Sequence, residues 1–415
     1  MSSDRASKNL ILPRTQIAHY YSVNGQLSTR LNNIGASCRP VGLQNLGSTC
    51  WFNVVIQLLY HIPKFRQAVL QCENLSTHSS QNVISVLQDL FITISFSEQK
   101  QINPIKAVES IGKLLENGIG QQDASEYLAI LLERISSVIP EAVENLFYGT
   151  INNDKFLQHS IQVNSNYTLL SSIESSLTFP QKQLFTHLPP IFLVNISRLI
   201  QGDSPCELVK DNHILSFSSV IFMDRFTAEN EEQVSDISIL VENYKSQRND
   251  YCSKIDSLQL LSGQVAELKT VYDAYQSDVV GTSVDFDVLC STNLQWEEEI
   301  RSKILVLKKN VGVIDEKLRT MKSRAFSAVR PYQLHAVLVH RGQSDGGHYW
   351  IYVWNSTHQT WFHINDNLSQ QVDWDSVTDV AFGGQEHDSS AHILIYIDSL
   401  KAQSLLGLKS FFYYF

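Results

Sequence analysis

A chain of 415 residues, 43% of them apolar, can bury a large core, and at roughly 100–200 residues per domain it suggests two or three structural units. Its 32 basic residues against 42 acidic ones give a formal net charge of -10. That balance argues against a nucleic-acid binder, which needs basic patches to displace counterions, and suits a basic protein surface instead.

Six cysteines, at positions 38, 50, 72, 206, 252 and 290, are scattered without short pairing, and no Cys-x-x-Cys occurs. Neither a disulfide scaffold nor a tetrahedral cysteine zinc site is expected. No signal-peptide core is read, nor any apolar run long enough to span a membrane. The expectation is a reduced intracellular protein, cytoplasmic or nuclear, without membrane or nucleic-acid partners.

Residues 1–40 lack periodicity and are expected to form a flexible N-terminal arm. From 41 to 225 the pattern is mixed. A helix is predicted from Cys50 through Val54, Val55, Leu58 and Leu59, and another over Asp123 to Ile135, carrying Leu128, Leu131, Leu132 and Ile135 on an apolar stripe. The branched run Ile191 to Ile196, after Pro189-Pro190, reads as a strand.

Between 226 and 328 there is no proline and there are only three glycines. Apolar residues recur there at spacings of three and four, first at 237, 241, 244, 251, 255, 258, 261, 265, 268, 272 and 275, with a break in phase after 258. Trp296, Ile300, Leu307, Val311, Ile314, Leu318 and Met321 repeat the signature. Two long amphipathic helices forming an antiparallel hairpin are predicted.

After Arg330 the period becomes two: Tyr332, Leu334, Ala336 and Leu338 alternate with Gln333, His335, Val337 and Val339. Tyr349 to Trp354 and Ile393 to Ile397 read as further strands. The chain is thus expected to hold one mixed domain, 41–225 plus 329–400, interrupted by an inserted helical hairpin at 226–328. A tail at 401–415 ends in the very apolar Phe411 to Phe415.

Three segments could carry chemistry. Gly42-Leu-Gln-Asn-Leu-Gly-Ser-Thr-Cys50 opens a helix, and a thiol at a helix N-terminus lies in the positive end of the peptide dipole, which favours the thiolate. Gly346-Gly-His-Tyr349 delivers His348 at the start of a strand. Seventeen residues on, Asn365-Asp366 follows the strand-like Thr360 to Ile364. A strand, a turn and a returning strand would set an amide or carboxylate beside the imidazole, fixing its tautomer. The order Cys, His, Asn is that of papain-type proteases. His335, His340, His348 and His363 share no ligand spacing, so no metal site is expected.

These segments resemble the ubiquitin-specific protease family. Gly42 to Asn53 is similar to its cysteine box, Gln121-Gln-Asp-Ala-Ser-Glu-Tyr-Leu128 to its second block, and Leu334 to Tyr352 with Trp361 to Asp366 to its histidine box. Leu188-Pro-Pro-Ile-Phe, Phe222-Met-Asp-Arg-Phe and Phe382-Gly-Gly-Gln point to a branch whose members carry a helical insertion that mediates self-association.

The resemblance implies an α+β, papain-like hand of fingers, palm and thumb with an inserted, coiled-coil-like helical arm. It implies hydrolysis of the bond after the C-terminal glycine of ubiquitin on conjugated proteins or chains. Cys50 would be the nucleophile, His348 the base, Asn365 its orienter, Asp366 an assistant and Asn45 an oxyanion donor. Gln121, Asp123, Glu126, His340, Gly347 and Tyr349 would bind substrate, the two acids by pairing with arginines near the ubiquitin C-terminus. No metal or cofactor is implied. The partners would be ubiquitin and ubiquitinated proteins, with a homodimer through 226–328 or a monomer as alternatives. A protease for a ubiquitin-like modifier, or a weakly active ubiquitin-binding scaffold, are the competing functions.

Overall fold

In a computed structural model the described residues are 40–72, 79–97, 99–112, 120–163, 168–178, 183–201, 208–276, 286–324, 330–343, 346–356, 358–384 and 388–407. The expected N-terminal arm up to residue 39 and the apolar Phe411 to Phe415 lie outside them. The chain divides into two compact units: residues up to Ala228 together with those from Arg330, and Glu229–Val329.

The first unit is built on one large sheet. Its strands run in the order Leu368–Val372, Thr360–Asn365, Gly346–Asn355, Pro331–Gln343, Ser389–Asp398, Ile191–Ser197 and Gln158–Gln162, with Val220–Phe222 pairing the start of Pro331–Gln343. All these pairings are antiparallel except that of Gln158–Gln162 with Ile191–Ser197.

Both faces of the sheet are covered. One face, with Ala336, Leu338, Ile351 and Ile395, joins a core made largely of helices Cys50–Tyr60, Pro63–Gln71, Ser79–Phe96, Ala124–Ser136 and Pro140–Phe147. The other, with Val337, Val339, Tyr352 and Tyr396, packs on helices Leu169–Thr178 and Trp374–Ala381. A sheet buried on both sides explains why its strands read as nearly continuous apolar runs.

One feature of the Pro331–Gln343 strand corrects the period-two reading. Tyr332 and Leu334 share a core with Val337 and Val339, while Ala336 and Leu338 belong to the opposite one. A register shift between Leu334 and Ala336 inserts His335 as an extra residue and inverts the phase. His335 is buried there, its Nε2 3.0 Å from the His61 carbonyl oxygen.

Helix Cys50–Tyr60 is buried along its whole length. An all-round apolar helix is a core helix, and its two amides have backbone partners: Gln57 Nε2 donates to the Val41 carbonyl at 2.8 Å, and Asn53 Nδ2 to those of Leu43 and Gln44 at 3.3 Å.

The second unit is a pair of antiparallel helices, Glu231–Gln276 and Phe286–Arg324. Arg248 Nε meets Asp315 at 2.7 Å near one end, and Asn293 Nδ2 meets the Val265 carbonyl at 3.4 Å towards the other. Among the described residues the buried apolar side chains of the seam are Ile255, Val265, Ile300 and Ile314. Leu261, Leu268 and Trp296 are exposed.

Candidate active site

Cys50 is the first residue of its helix and is buried. The loop before it is folded by its own side chains. Asn45 Oδ1 accepts from the backbone N–H groups of Gly47 and Thr49, each at 3.1 Å, and Thr49 Oγ1 accepts from Leu46 N–H at 2.9 Å. Trp51 fixes the helix start from the other side: its Nε1 donates to the Gly120 carbonyl at 3.0 Å and its ring packs edge-on against Tyr127.

His348 enters from the sheet. Strands Gly346–Asn355 and Thr360–Asn365 pair with Ile351 opposite Ile364, which brings the end of the second strand level with the start of the first. The Asn365 Oδ1 accepts from His348 Nε2 at 2.7 Å. That leaves Nδ1 for the sulfur. Hydrogen bonding to Cys50 is the largest influence on His348 and raises its pKa from 6.5 to about 9; burial opposes this, and Asn365 and the charges of Cys50 and Asp366 add to it. The imidazole is thus held as imidazolium beside sulfur, with an amide orienting it.

Asp366 occupies the turn between Thr360–Asn365 and Leu368–Val372, at φ 48°. Its carboxylate accepts from Asn45 Nδ2 at 3.0 Å and from Asn53 Nδ2 at 2.8 Å, and its carbonyl accepts from Leu43 N–H at 2.8 Å. This turn fastens the histidine sheet to the cysteine loop. Asn53 was not singled out by sequence; the signal available was that it is, with Gln57, one of two amides inside a helix of otherwise largely apolar side chains.

A cleft of about 310 Å³ runs between the N-terminus of helix Ala124–Ser136 and the sheet. Of the six residues expected to bind substrate, Gln121, Asp123, His340 and Tyr349 line it. Gln121 Nε2 donates across to the Gly347 carbonyl at 2.6 Å. A Cβ at Gly347 would lie 2.2 Å from both the Arg341 carbonyl oxygen and His340 Nε2, so this close approach requires glycine. Glu126 is exposed and outside the cleft lining.

Burial, with Lys210 and His392 nearby, lowers the His340 pKa to about 4, so its ring is neutral near pH 7; Asp123 acts weakly the other way. Lys210, Arg198 and His392 also line the cleft and lay outside the motifs. Burial lowers Lys210 to about 8, and its ammonium donates to the carbonyls of His340 and Asp388 at 3.0 and 2.8 Å. Among the described residues no group of three His, Cys, Asp or Glu side chains is placed to hold a metal ion.

A cysteine leading a buried helix, facing a histidine and its amide on adjacent strands, is the arrangement of the papain-like thiol hydrolase fold. The ubiquitin carboxyl-terminal hydrolase family model matches residues 41–396, and the chain belongs to that family. It is similar to ubiquitin carboxyl-terminal hydrolase 28 of Rattus norvegicus, at 25% identity over 86% of this chain and 46% of the relative, and to that of Homo sapiens, at 25% over 86% and 45%. It is 35% identical to ubiquitin carboxyl-terminal hydrolase 34 of Homo sapiens over 29% of this chain and 4% of the relative. The chain spans about half the length of the hydrolase 28 relatives.

Proposed function

We propose that this chain is a deubiquitinating cysteine protease, hydrolysing the isopeptide or peptide bond after the C-terminal glycine of ubiquitin. The Cys50–His348–Asn365 row, within a chain of this family, carries the reading. The Cys50 sulfur attacks the glycine carbonyl carbon, and the His348 imidazolium protonates the departing lysine amine. The resulting thioester is attacked by water, which gives its proton to His348, and thiol and carboxylate are released. The Asn45 amide carries two N–H bonds; one donates to Asp366, and the other is left for the developing oxyanion.

The test is turnover of a fluorogenic amide of the ubiquitin C-terminus, set against the same amide of a ubiquitin-like modifier. Cleavage of the first and not the second supports the reading. The reverse preference makes the chain a protease for the other modifier, and binding without turnover makes it a scaffold.

The partner reading extends to a second copy of this chain. Leu260 and Leu305 on the helical pair are 69% and 70% exposed, and Ile239, Val306 and Trp296 are exposed as well. Apolar surface of this extent on a two-helix unit favours self-association. Light scattering on the full chain, and on a chain with 226–328 replaced by a flexible linker, tests it: dimer becoming monomer supports the arm as the joint.

A further inference from the structure

Strand Gly346–Asn355 carries His348 and Trp350 on one face, since residues two apart in a strand point the same way. Their rings lie 6.1 Å apart, tilted by 32°. Ile351 pairs with Ile364, which sets Trp350 level with Asn365, whose amide oxygen accepts from His348 Nε2. The imidazole therefore has Cys50 and Asn365 at its nitrogens and the indole alongside.

The indole is itself held. It is buried in the core on the second face of the sheet. His363 meets it edge-on at 6.1 Å and 72°, and the His363 ring stacks on that of Tyr352 at 4.9 Å and 26°. Gln370 Nε2 lies 3.2 Å from His363 Nδ1. A ring packed in this way cannot give ground, so it limits how far the neighbouring imidazole can swing.

We infer that Trp350 is a positioning residue for the reaction: its indole backs the His348 imidazolium, keeping that ring turned towards Cys50 and favouring its charged form. The inference rests on the thiol-protease reading above. A cation near an indole is drawn to its π electrons, an attraction that reaches to about 6 Å from the ring centroid. A neutral imidazole gains less. Two other groups facing His348 also favour its charge: Cys50 from the helix, and Asp366 from the turn at 3.8 Å. His340 and His363, on the neighbouring strands, are pushed towards their neutral forms by burial and set no second cation beside the indole near pH 7. The imidazolium gives its proton to the leaving amine, so a ring that swings away or loses its charge slows that step.

The test follows the His348 ring by NMR in the full chain with isotope-labelled histidine, its signal assigned by loss in His348→Gln. Trp350→Leu is expected to lower the His348 pKa by about half a unit from about 9. Trp350→Phe, which keeps an aromatic face, should leave it nearer its starting value. On the fluorogenic ubiquitin amide, kcat should fall about tenfold in Trp350→Leu at an unchanged KM, and recover in Trp350→Phe. If Trp350→Leu does not fold, the unsubstituted chain grown on fluorotryptophan takes its place. Fluorine draws electrons from the indole with little change in packing and should lower the His348 pKa, an effect lost when Trp350→Phe is grown the same way. A His348 pKa unmoved by either route overturns the inference alone. So does an equal rate loss in both variants that tracks a fall in urea midpoint, which would make Trp350 a core residue only. Failure of the unsubstituted chain to cleave the ubiquitin amide overturns the ubiquitin reading, and the ring titration then decides this inference by itself.

Discussion

The Asp366 carboxylate lies 3.8 Å from His348 Nε2, yet its oxygens are taken by Asn45 and Asn53, while Asn365 holds the ring nitrogen at 2.7 Å. The two neighbours thus divide the work: Asn365 orients the imidazole and Asp366 joins the cysteine loop to the histidine sheet. Asn365→Ala is expected to lower kcat by about a hundredfold, the low end of what a positioned acid–base group contributes, at an unchanged unfolding midpoint. Asp366→Ala lowers both rate and stability, because Asn45 and Asn53 lose an acceptor together. Steady-state kinetics paired with urea unfolding separates them. A near-normal rate for Asn365→Ala would move the orienting role to Asp366.

The pH–rate profile follows from the same contacts. His348 stays protonated up to about pH 9, chiefly through Cys50, so the amine leaving step keeps its proton donor through neutral pH. The rate should fall as pH rises through about 9, where the imidazolium is lost. In Asn365→Ala, which removes one of the raising contacts, that alkaline limb should move to lower pH. A limb unmoved by the substitution would deny Asn365 its hold on the ring.

Gly42 packs where no side chain fits. A Cβ there would lie 2.6 Å from the Asn367 backbone, next to the Asp366 turn. Backbone on both sides leaves no flexible end to yield, so Gly42→Ala must push the turn off the cysteine loop. We expect a rate loss of about ten- to a hundredfold, as small misplacements at a reacting centre produce, with little change in far-UV circular dichroism. Gly312→Ala, whose Cβ meets open space on the helical arm, should leave the rate unchanged.

His61 and His335 should make the protein acid-sensitive. Burial lowers His61 from 6.5 to about 3, with Arg66 and His335 assisting against the Gln57 carbonyl, and lowers His335 to about 4. Above pH 6.5 both are neutral whether folded or unfolded and contribute no pH dependence. As pH falls from 6.5 towards 4 the unfolded chain takes up protons that the folded chain refuses, so stability drops by up to about 1.4 kcal/mol per pH unit for each such histidine. Urea midpoints followed by tryptophan fluorescence should fall over that interval. His335→Gln, which keeps a donor for the His61 carbonyl but cannot charge, should reduce the slope by about one proton.

The proposed reacting groups were legible because each stands in a short local pattern. Glycines and a helix start mark Cys50, two glycines mark His348, and a strand followed by a turn marks Asn365. What escaped depends on pairings between distant segments. His392 sits in an apolar strand with nothing nearby to distinguish it, and it meets Asp123 across 269 residues of chain. Lys210 reaches the cleft only because the His340 and Asp388 carbonyls converge on it. The bulge at His335 is invisible to a period-two reading, since alternation cannot locate one extra residue. The apolar spacing of the helical pair revealed two helices, and a pair of helices covers only a narrow stripe of each.

The most direct test of the central claim is reaction with ubiquitin carrying an electrophile in place of its C-terminal carboxylate, followed by peptide mapping. The account predicts a single adduct, on Cys50, absent from Cys50→Ala and retained in Cys72→Ala and Cys252→Ala. No adduct under conditions where the chain is folded, or an adduct that survives in Cys50→Ala, would contradict it.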